Sequence, residues 1–157
     1  MLPTRDDILR WRTPTPEDPW RILVSACLGG ANCGVDGTSN GDAYWIKRLL
    51  ALPTARAVPF CPEDYLLGTP RRTPDIHGGD GFDVLDGKAR VCTEDGADVT
   101  DAMVAGAHEM ARRALEARVD VAIMMDASGA CGSQVISDGS RFVALRCRKA
   151  SRNSASS

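Results

Sequence analysis

Three nearly continuous apolar runs, separated by loop and helical segments, constrain the fold more than any other feature of the sequence. They are RILVSAC (21–27), ARAVPFC (55–61) and VDVAIMMD (119–126). Strands that are buried on both faces read as unbroken apolar runs, as in parallel sheets. Segments at 43–52 and 100–119 carry the spacing of amphipathic helices. This alternation predicts an α/β domain, a Rossmann-like three-layer fold with a mainly parallel sheet.

The segments outside these runs predict smaller features of the same domain. The stretch FDVLDGKARVC (82–92) predicts a small β-hairpin that turns at its Asp-Gly pair, and RFVALRC (141–147) predicts a last short strand. A length of 157 residues favours one domain. We therefore expect an N-terminal extension at 1–20, a single α/β domain at 21–148 and a disordered tail at 149–157.

The charge balance argues against some classes of partner. The chain carries 19 basic and 21 acidic residues, for a net charge of −2. This balance gives no general attraction to nucleic acid or anionic lipid, so we expect no stable nucleic-acid binding and no membrane association. The apolar runs are also far shorter than the ~20 residues of a membrane-spanning helix. The first residues lack the apolar stretch of a secretory signal, which predicts a cytoplasmic location.

Cysteines mark the ends of the three predicted strands. Cys27 and Cys61 close the first two runs, and Cys131 lies in the loop DASGACGS that leaves the third. In open α/β sheets, ligands bind beyond the carboxyl ends of the strands. If the strands are parallel neighbours, the three sulfurs share one crevice. Cysteines in a reducing compartment are mostly thiols, metal ligands or catalytic groups rather than structural bridges.

The residues alone leave several uses of these thiols open. Free cysteine often packs as a small hydrophobe. A zinc-binding module without catalysis could use Cys27, Cys33, Cys61 and Cys131, although the sequence has no closely spaced cysteine pair. A thiol–disulfide redox protein is a further alternative. An iron–sulfur cluster held by three thiolates would leave one iron open to a soft substrate atom such as sulfur.

Several motifs taken together resemble one bacterial family. They are ILVSACLGGANCGVDG, VPFCPED, GTPRRTPDI, GADVT and SGACGSQVISDG, and they extend from about Arg21 to Gly139. In this order they are similar to the thiouracil desulfidase (TudS)-like family, formerly a domain of unknown function. The resemblance implies a non-redox desulfidase with a [4Fe-4S] cluster, whose open iron takes the sulfur of a thiolated pyrimidine base or nucleoside. Water replaces that sulfur, and sulfide leaves.

The same resemblance implies roles for individual residues. The cluster ligands would be Cys27, Cys61 and Cys131. The acid/base would be Glu63, two residues after Cys61 in the CPED motif, and the catalytic serine would be Ser128, three residues before Cys131. A positioned carboxyl beside the cluster would handle the proton transfers of hydrolysis.

Other positions near these motifs carry weaker assignments. Cys33 matches a family cysteine that is not a ligand, and we interpret it as a packing residue or as a thiol near the site. Arg71 matches the family, and either an anionic substrate group or a structural contact would explain it, whereas Arg72 is interpreted as structural. The family loop Ser-Pro-Ser-Cys is Ser-Gly-Ala-Cys here. Bulkier Tyr65 and Leu66 are expected near the pocket, so its shape should differ from that of relatives.

Overall fold

The computed structural model describes residues 3–40, 43–132, 135–137 and 142–144. The described helices are α1 (Arg5–Leu9), α2 (Tyr44–Leu50), α3 (Pro62–Leu67), α4 (Gly81–Leu85) and α5 (Thr100–Glu116). The described strands are β1 (Trp20–Ser25), β2 (Ala55–Phe60), β3 (Pro74–His77), β4 (Arg90–Thr93), β5 (Val121–Ile123), β6 (Val135–Ser137) and β7 (Phe142–Ala144).

A parallel sheet in the order β2-β1-β5 forms the centre of the molecule. β1 is its middle strand, and the consecutive residues Ile22, Leu23 and Val24 are all buried. Successive side chains of a strand point to opposite faces, so both faces of β1 are covered. The α/β class and the mainly parallel sheet expected from the three apolar runs are confirmed.

The hairpin predicted at 82–92 does not form at its Asp-Gly pair. β3 pairs with β4, whereas the first half of the predicted hairpin forms helix α4. The Asp80 carboxyl accepts hydrogen bonds from the N–H groups of Phe82 and Asp83, and the Asp83 carboxyl accepts one from the Asp80 N–H. This capping box begins a helix. Gly87, with φ of 71°, follows the last helical turn, so the Asp-Gly pair ends a helix instead of turning a hairpin.

Helix α5 packs closely against α3. Its N-cap is Val99, and the hydroxyl of its first residue, Thr100, accepts a hydrogen bond from the Val91 N–H at 2.9 Å. Gly106 faces the start of α3, and a Cβ added there would lie 2.3 Å from the Pro62 carbonyl oxygen. Glycine at this position therefore permits the close approach of the two helices.

The N-terminal extension is tied to the sheet through Arg12. The Arg12 guanidinium donates to the carbonyl oxygens of Asp18 and Pro19 and pairs with the Asp120 carboxylate at 3.0 Å. Asp120 also accepts a hydrogen bond from the Arg21 N–H at 2.8 Å. These contacts hold the extension against the amino-terminal edge of β1 and β5.

Some sequence-based expectations stay predictions. The boundaries proposed at residues 20 and 148 are not decided by these contacts. The predicted disordered tail at 149–157, together with Cys147, lies outside the described residues. Within the described part of the chain, no helix combines the length and apolarity needed to cross a membrane.

Candidate active site

One cavity of about 400 Å³ lies at the carboxyl edge of the parallel sheet. The segments that follow β1, β2 and β5 all contribute to its wall, because parallel strands deliver their carboxyl ends to the same edge. The five residues singled out from the sequence all line this cavity: Cys27, Cys61, Glu63, Ser128 and Cys131.

Cys61 directly precedes helix α3, a helix that was not predicted from the sequence. Pro62 is the first helical residue, where its missing N–H costs no hydrogen bond. The Cys61 sulfur accepts a hydrogen bond from the Asp64 N–H at 3.4 Å and so acts as the N-cap. On this helix, Tyr65 and Leu66 are about half exposed and are not among the cavity-lining residues. The expectation that these two side chains shape the pocket is wrong, because the helix turns them outward.

Glu63, on the first turn of α3, is held between a cation and a hydroxyl. It is only 8% exposed. Its Oε2 accepts a hydrogen bond from Arg71 Nη2 at 2.7 Å, and its Oε1 accepts one from Ser128 Oγ at 2.7 Å. Charge-assisted hydrogen bonds of this kind are short and directional. The carboxyl therefore presents one fixed oxygen to a group that carries a proton.

Arg71 connects Glu63 to two other segments of the site. Its side chain is 6% exposed. Nη1 donates to the carbonyl oxygens of Cys33 at 3.0 Å and Gly68 at 3.2 Å, and to Thr69 Oγ1 at 3.1 Å. The loop after β1 and the end of α3 are thus joined through the guanidinium that holds the acid. Of the two explanations left open for Arg71, these contacts favour the structural one.

Ser128 uses its full hydrogen-bonding capacity. Its hydroxyl donates to Glu63 and accepts from the N–H groups of Ala130 at 3.2 Å and Cys131 at 3.1 Å. A serine that accepts from residues two and three positions ahead fixes a local turn. The loop that carries Cys131 is therefore attached to the carboxyl on α3.

Cys131 is buried among the other polar groups of the site. Burial raises the pKa of the Cys131 thiol to about 11, and the charges of Glu63 and Cys61 contribute to the increase, whereas hydrogen bonds with Ser25 and Ser128 oppose it. A thiol with such a pKa is protonated near neutral pH. A bound metal would be needed to hold it as a thiolate there.

Cys33 is a fourth thiol in the wall of the cavity. It is buried, and the Cys61 thiol donates to its carbonyl oxygen at 3.8 Å. Burial first, and then the proximity of Cys61 and Cys27, raises the pKa of the Cys33 thiol to about 12. Its position matches the expectation of a packing residue or of a thiol near the site, and its role stays a prediction.

The thiols share a cavity without converging on a single point. Among the residues whose positions are described, no three His, Cys, Asp or Glu side chains are grouped closely enough to hold one metal ion. A tetrahedral zinc site with ~2.3 Å bonds needs sulfurs roughly 3.8 Å apart. An iron–sulfur cluster takes each thiolate on a different iron, so its ligands lie farther apart. Thiols are the usual ligands of iron–sulfur clusters, so the chemistry of this donor set is compatible with such a cluster.

Comparison with known proteins decides the family. A family model described as 2-thiouracil desulfurase matches residues 22–150. The chain belongs to the 2-thiouracil desulfurase family. The uncharacterized protein YbbK of Bacillus subtilis (strain 168) is 40% identical over 121 residues, which cover 75% of this chain and 77% of YbbK.

A solved structure supports the same family. The [4Fe-4S]-dependent thiouracil desulfidase TudS is 32% identical and superposes with a TM-score of 0.64, covering 80% of this chain and 78% of TudS. The resemblance drawn from the motifs is thereby confirmed. The roles of the individual residues in this member of the 2-thiouracil desulfurase family stay predictions.

Proposed function

We propose that this protein is a hydrolytic, non-redox desulfidase that removes sulfur from a thiolated pyrimidine, a 2-thiouracil-like base or nucleoside, and releases sulfide. The observation that carries the proposal is the buried carboxyl of Glu63, which joins Ser128 and Arg71 inside a cavity lined by thiols. Family membership and the activity named for the solved relative support the substrate class.

The cofactor in this proposal is a [4Fe-4S] cluster held by Cys27, Cys61 and Cys131. Three thiols, each following a different strand of one sheet, line the same cavity. When bound, such a cluster supplies an open iron that can take a thiocarbonyl sulfur and polarise the carbon attached to it. The donor set supports this cofactor because thiolates are the usual ligands of iron–sulfur clusters.

Glu63 and Ser128 carry the proton transfers in this reaction. Water supplies the oxygen that replaces sulfur, so the pyrimidine neither gains nor loses electrons. The Ser128 hydroxyl points its hydrogen at Glu63 Oε1. Glu63 is therefore placed to take a proton from the attacking water through the Ser128 hydroxyl, and to return it by the same route to the departing sulfur. Arg71 holds the other carboxyl oxygen and keeps this orientation.

The first test is the metal content of protein purified and reconstituted without oxygen. We predict about four irons per chain for the parent, and one sulfide released for each 2-thiouracil converted to uracil. Cys27→Ser, Cys61→Ser and Cys131→Ser should each lose most of the iron. Cys92→Ser is the matched control, because Cys92 lies on β4 and is not among the residues that line the cavity.

The same preparation separates the proposal from the other uses of the thiols. A colourless protein with one zinc per chain and no sulfide release would support a zinc-binding module. A metal-free protein that keeps its activity after chelation would support thiol–disulfide chemistry. Full iron content in any one of the three cysteine variants would remove that residue from the ligand set.

A further inference from the structure

Asp75 is a buried carboxyl in the wall of the same cavity, and the chemistry proposed above does not use it. It is the second residue of β3 and is 7% exposed. Its Oδ1 is fully buried and has no hydrogen-bond partner within the described part of the chain. Buried polar atoms in native proteins nearly always have a partner. An unpaired oxygen on a residue that lines a cavity therefore marks a place where a ligand can supply a donor.

The backbone around Asp75 fixes its position relative to the loop that carries Ser128 and Cys131. β3 pairs with β4, which places Asp75 opposite Cys92. The preceding residue, Pro74, touches the loop that carries Ser128, because a Cβ added to Gly129 would lie 3.1 Å from the Pro74 carbonyl oxygen. Asp75 thus follows the point where β3 meets this loop. A carboxyl carried by a paired strand is held more rigidly than one on a free loop.

We propose that Asp75 positions the substrate by accepting a hydrogen bond from a ring N–H of the thiolated pyrimidine. This inference rests on the proposed function. The thiocarbonyl carbon of 2-thiouracil lies between two ring nitrogens, and each carries a hydrogen. When the substrate sulfur faces the cysteines that line the cavity, these N–H groups are the hydrogen-bond donors closest to the reacting carbon. A carboxyl oxygen is an acceptor and therefore matches an N–H rather than a ring carbonyl.

Two methylated substrates test this contact directly. 1-Methyl-2-thiouracil and 3-methyl-2-thiouracil each lack one of the two N–H groups. For the cluster-loaded parent, we expect kcat/KM to fall at least about 10-fold for one isomer and to stay within about three-fold for the other, because a site built for an N–H rejects an analogue without it. The isomer that is rejected identifies the nitrogen that faces Asp75.

Variants of Asp75 test whether its carboxyl causes the preference between the two methyl isomers. Asp75→Ala should lose the preference between the isomers, mainly through a higher KM for 2-thiouracil with kcat less affected. Asp75→Asn keeps an oxygen that can accept the N–H and should retain most of the preference. Glu94→Ala is the matched control, because it removes an exposed carboxylate next to the same antiparallel strand pair. Iron content and melting temperature are measured for every variant.

Several outcomes would overturn the inference, and they differ from failure of the proposed function. Equal kcat/KM for the two methyl isomers with the parent would overturn it, whether or not Asp75→Ala folds. A preference that survives in iron-loaded Asp75→Ala would also overturn it and would assign the carboxyl to packing or to an ordered water. A loaded parent that releases sulfide from none of the three bases would overturn the proposed function, and with it the substrate named here.

Discussion

At the scale of single residues, the contact between Glu63 and Ser128 carries the proposed chemistry, and Arg71 fixes its geometry. Both Glu63 oxygens have partners at 2.7 Å, so the carboxyl has little freedom to turn. Neither Glu63 nor Ser128 is among the proposed cluster ligands. The structure therefore allows cofactor binding and proton transfer to be separated by mutation.

Glu63→Gln should keep the iron and lose most of the activity. Glutamine fills the same space but cannot take up a proton, and a positioned acid/base contributes ~10²–10⁴-fold. We expect single-turnover sulfide release to fall by that factor while iron content matches the parent. Ser128→Ala should also be slow, with a lower melting temperature because two N–H groups lose their acceptor. Parental turnover by Glu63→Gln would show that the carboxyl only supports the start of α3.

Sequence reasoning found the groups that lie within short motifs and missed those that the fold brings to them. Cys61 and Glu63 are two residues apart, so one motif contains both. Arg71 reaches Glu63 only because the short helix α3 folds the chain back between them. The unpaired Oδ1 of Asp75 could not be recognised from the sequence, because its lack of a partner among the described residues is a property of the packed cavity. Arg72 matches its structural interpretation, since it is exposed and pairs with acidic residues beyond β4.

At the scale of secondary-structure elements, the strands of the parallel sheet were predictable and the short helices were not. β1, β2 and β5 all lie in apolar runs. β1 is buried on both faces, as a continuous apolar run predicts, whereas β2 and β5 flank it and are largely half-buried or exposed. Helices α3 and α4 have six and five residues, too few to show a helical period. Their first residues, Pro62 and Gly81, also look like turn signals in the sequence.

The contact between α3 and α5 gives a prediction at this scale. Gly106→Ala places a Cβ 2.3 Å from the Pro62 carbonyl oxygen, which belongs to backbone and cannot rotate away. We expect a loss of about 1–3 kcal/mol in the free energy of unfolding, together with lower iron content, because Pro62 lies between Cys61 and Glu63. Denaturant unfolding and iron analysis measure the two effects.

A matched glycine controls for the general effect of adding a methyl group to a helix. Gly81 begins α4, and nothing lies within 4 Å of a Cβ added there. Gly81→Ala should stay within about 0.5 kcal/mol of the parent. Equal behaviour of the two variants would mean that the α3–α5 contact does not hold the Cys61 turn in place.

At the scale of the whole molecule, Asp120 joins the N-terminal extension to the edge of the sheet opposite the cavity. The hydrogen bond from the Arg21 N–H, followed by the contacts with Arg12, lowers the pKa of Asp120 from its ordinary value. A carboxyl with a lowered folded-state pKa stabilises the fold above its unfolded pKa of about 4. That stabilisation is lost as the pH falls through the lower folded-state pKa.

Asp120→Asn should therefore destabilise the protein in a pH-dependent way. Asparagine keeps an oxygen for the Arg21 N–H but removes the charge that pairs with Arg12. We expect a lower melting temperature than the parent at pH 7 and a difference that shrinks as the pH falls toward about 3. Thermal unfolding of both proteins across this range measures the effect. A difference that is the same at both ends of the range would show that the charge of Asp120 does not stabilise the fold.

The proposed reaction exchanges the sulfur of a thiolated pyrimidine for the oxygen of water. The decisive experiment is a single turnover of 2-thiouracil by the cluster-loaded parent. It is run in ¹⁸O-labelled water, with no dissolved O₂ and no reductant. We expect one sulfide and one uracil per substrate, with the label in the uracil and a rate that falls sharply in Glu63→Gln. Uracil without the label, or sulfide that appears only when a reductant is added, would contradict it.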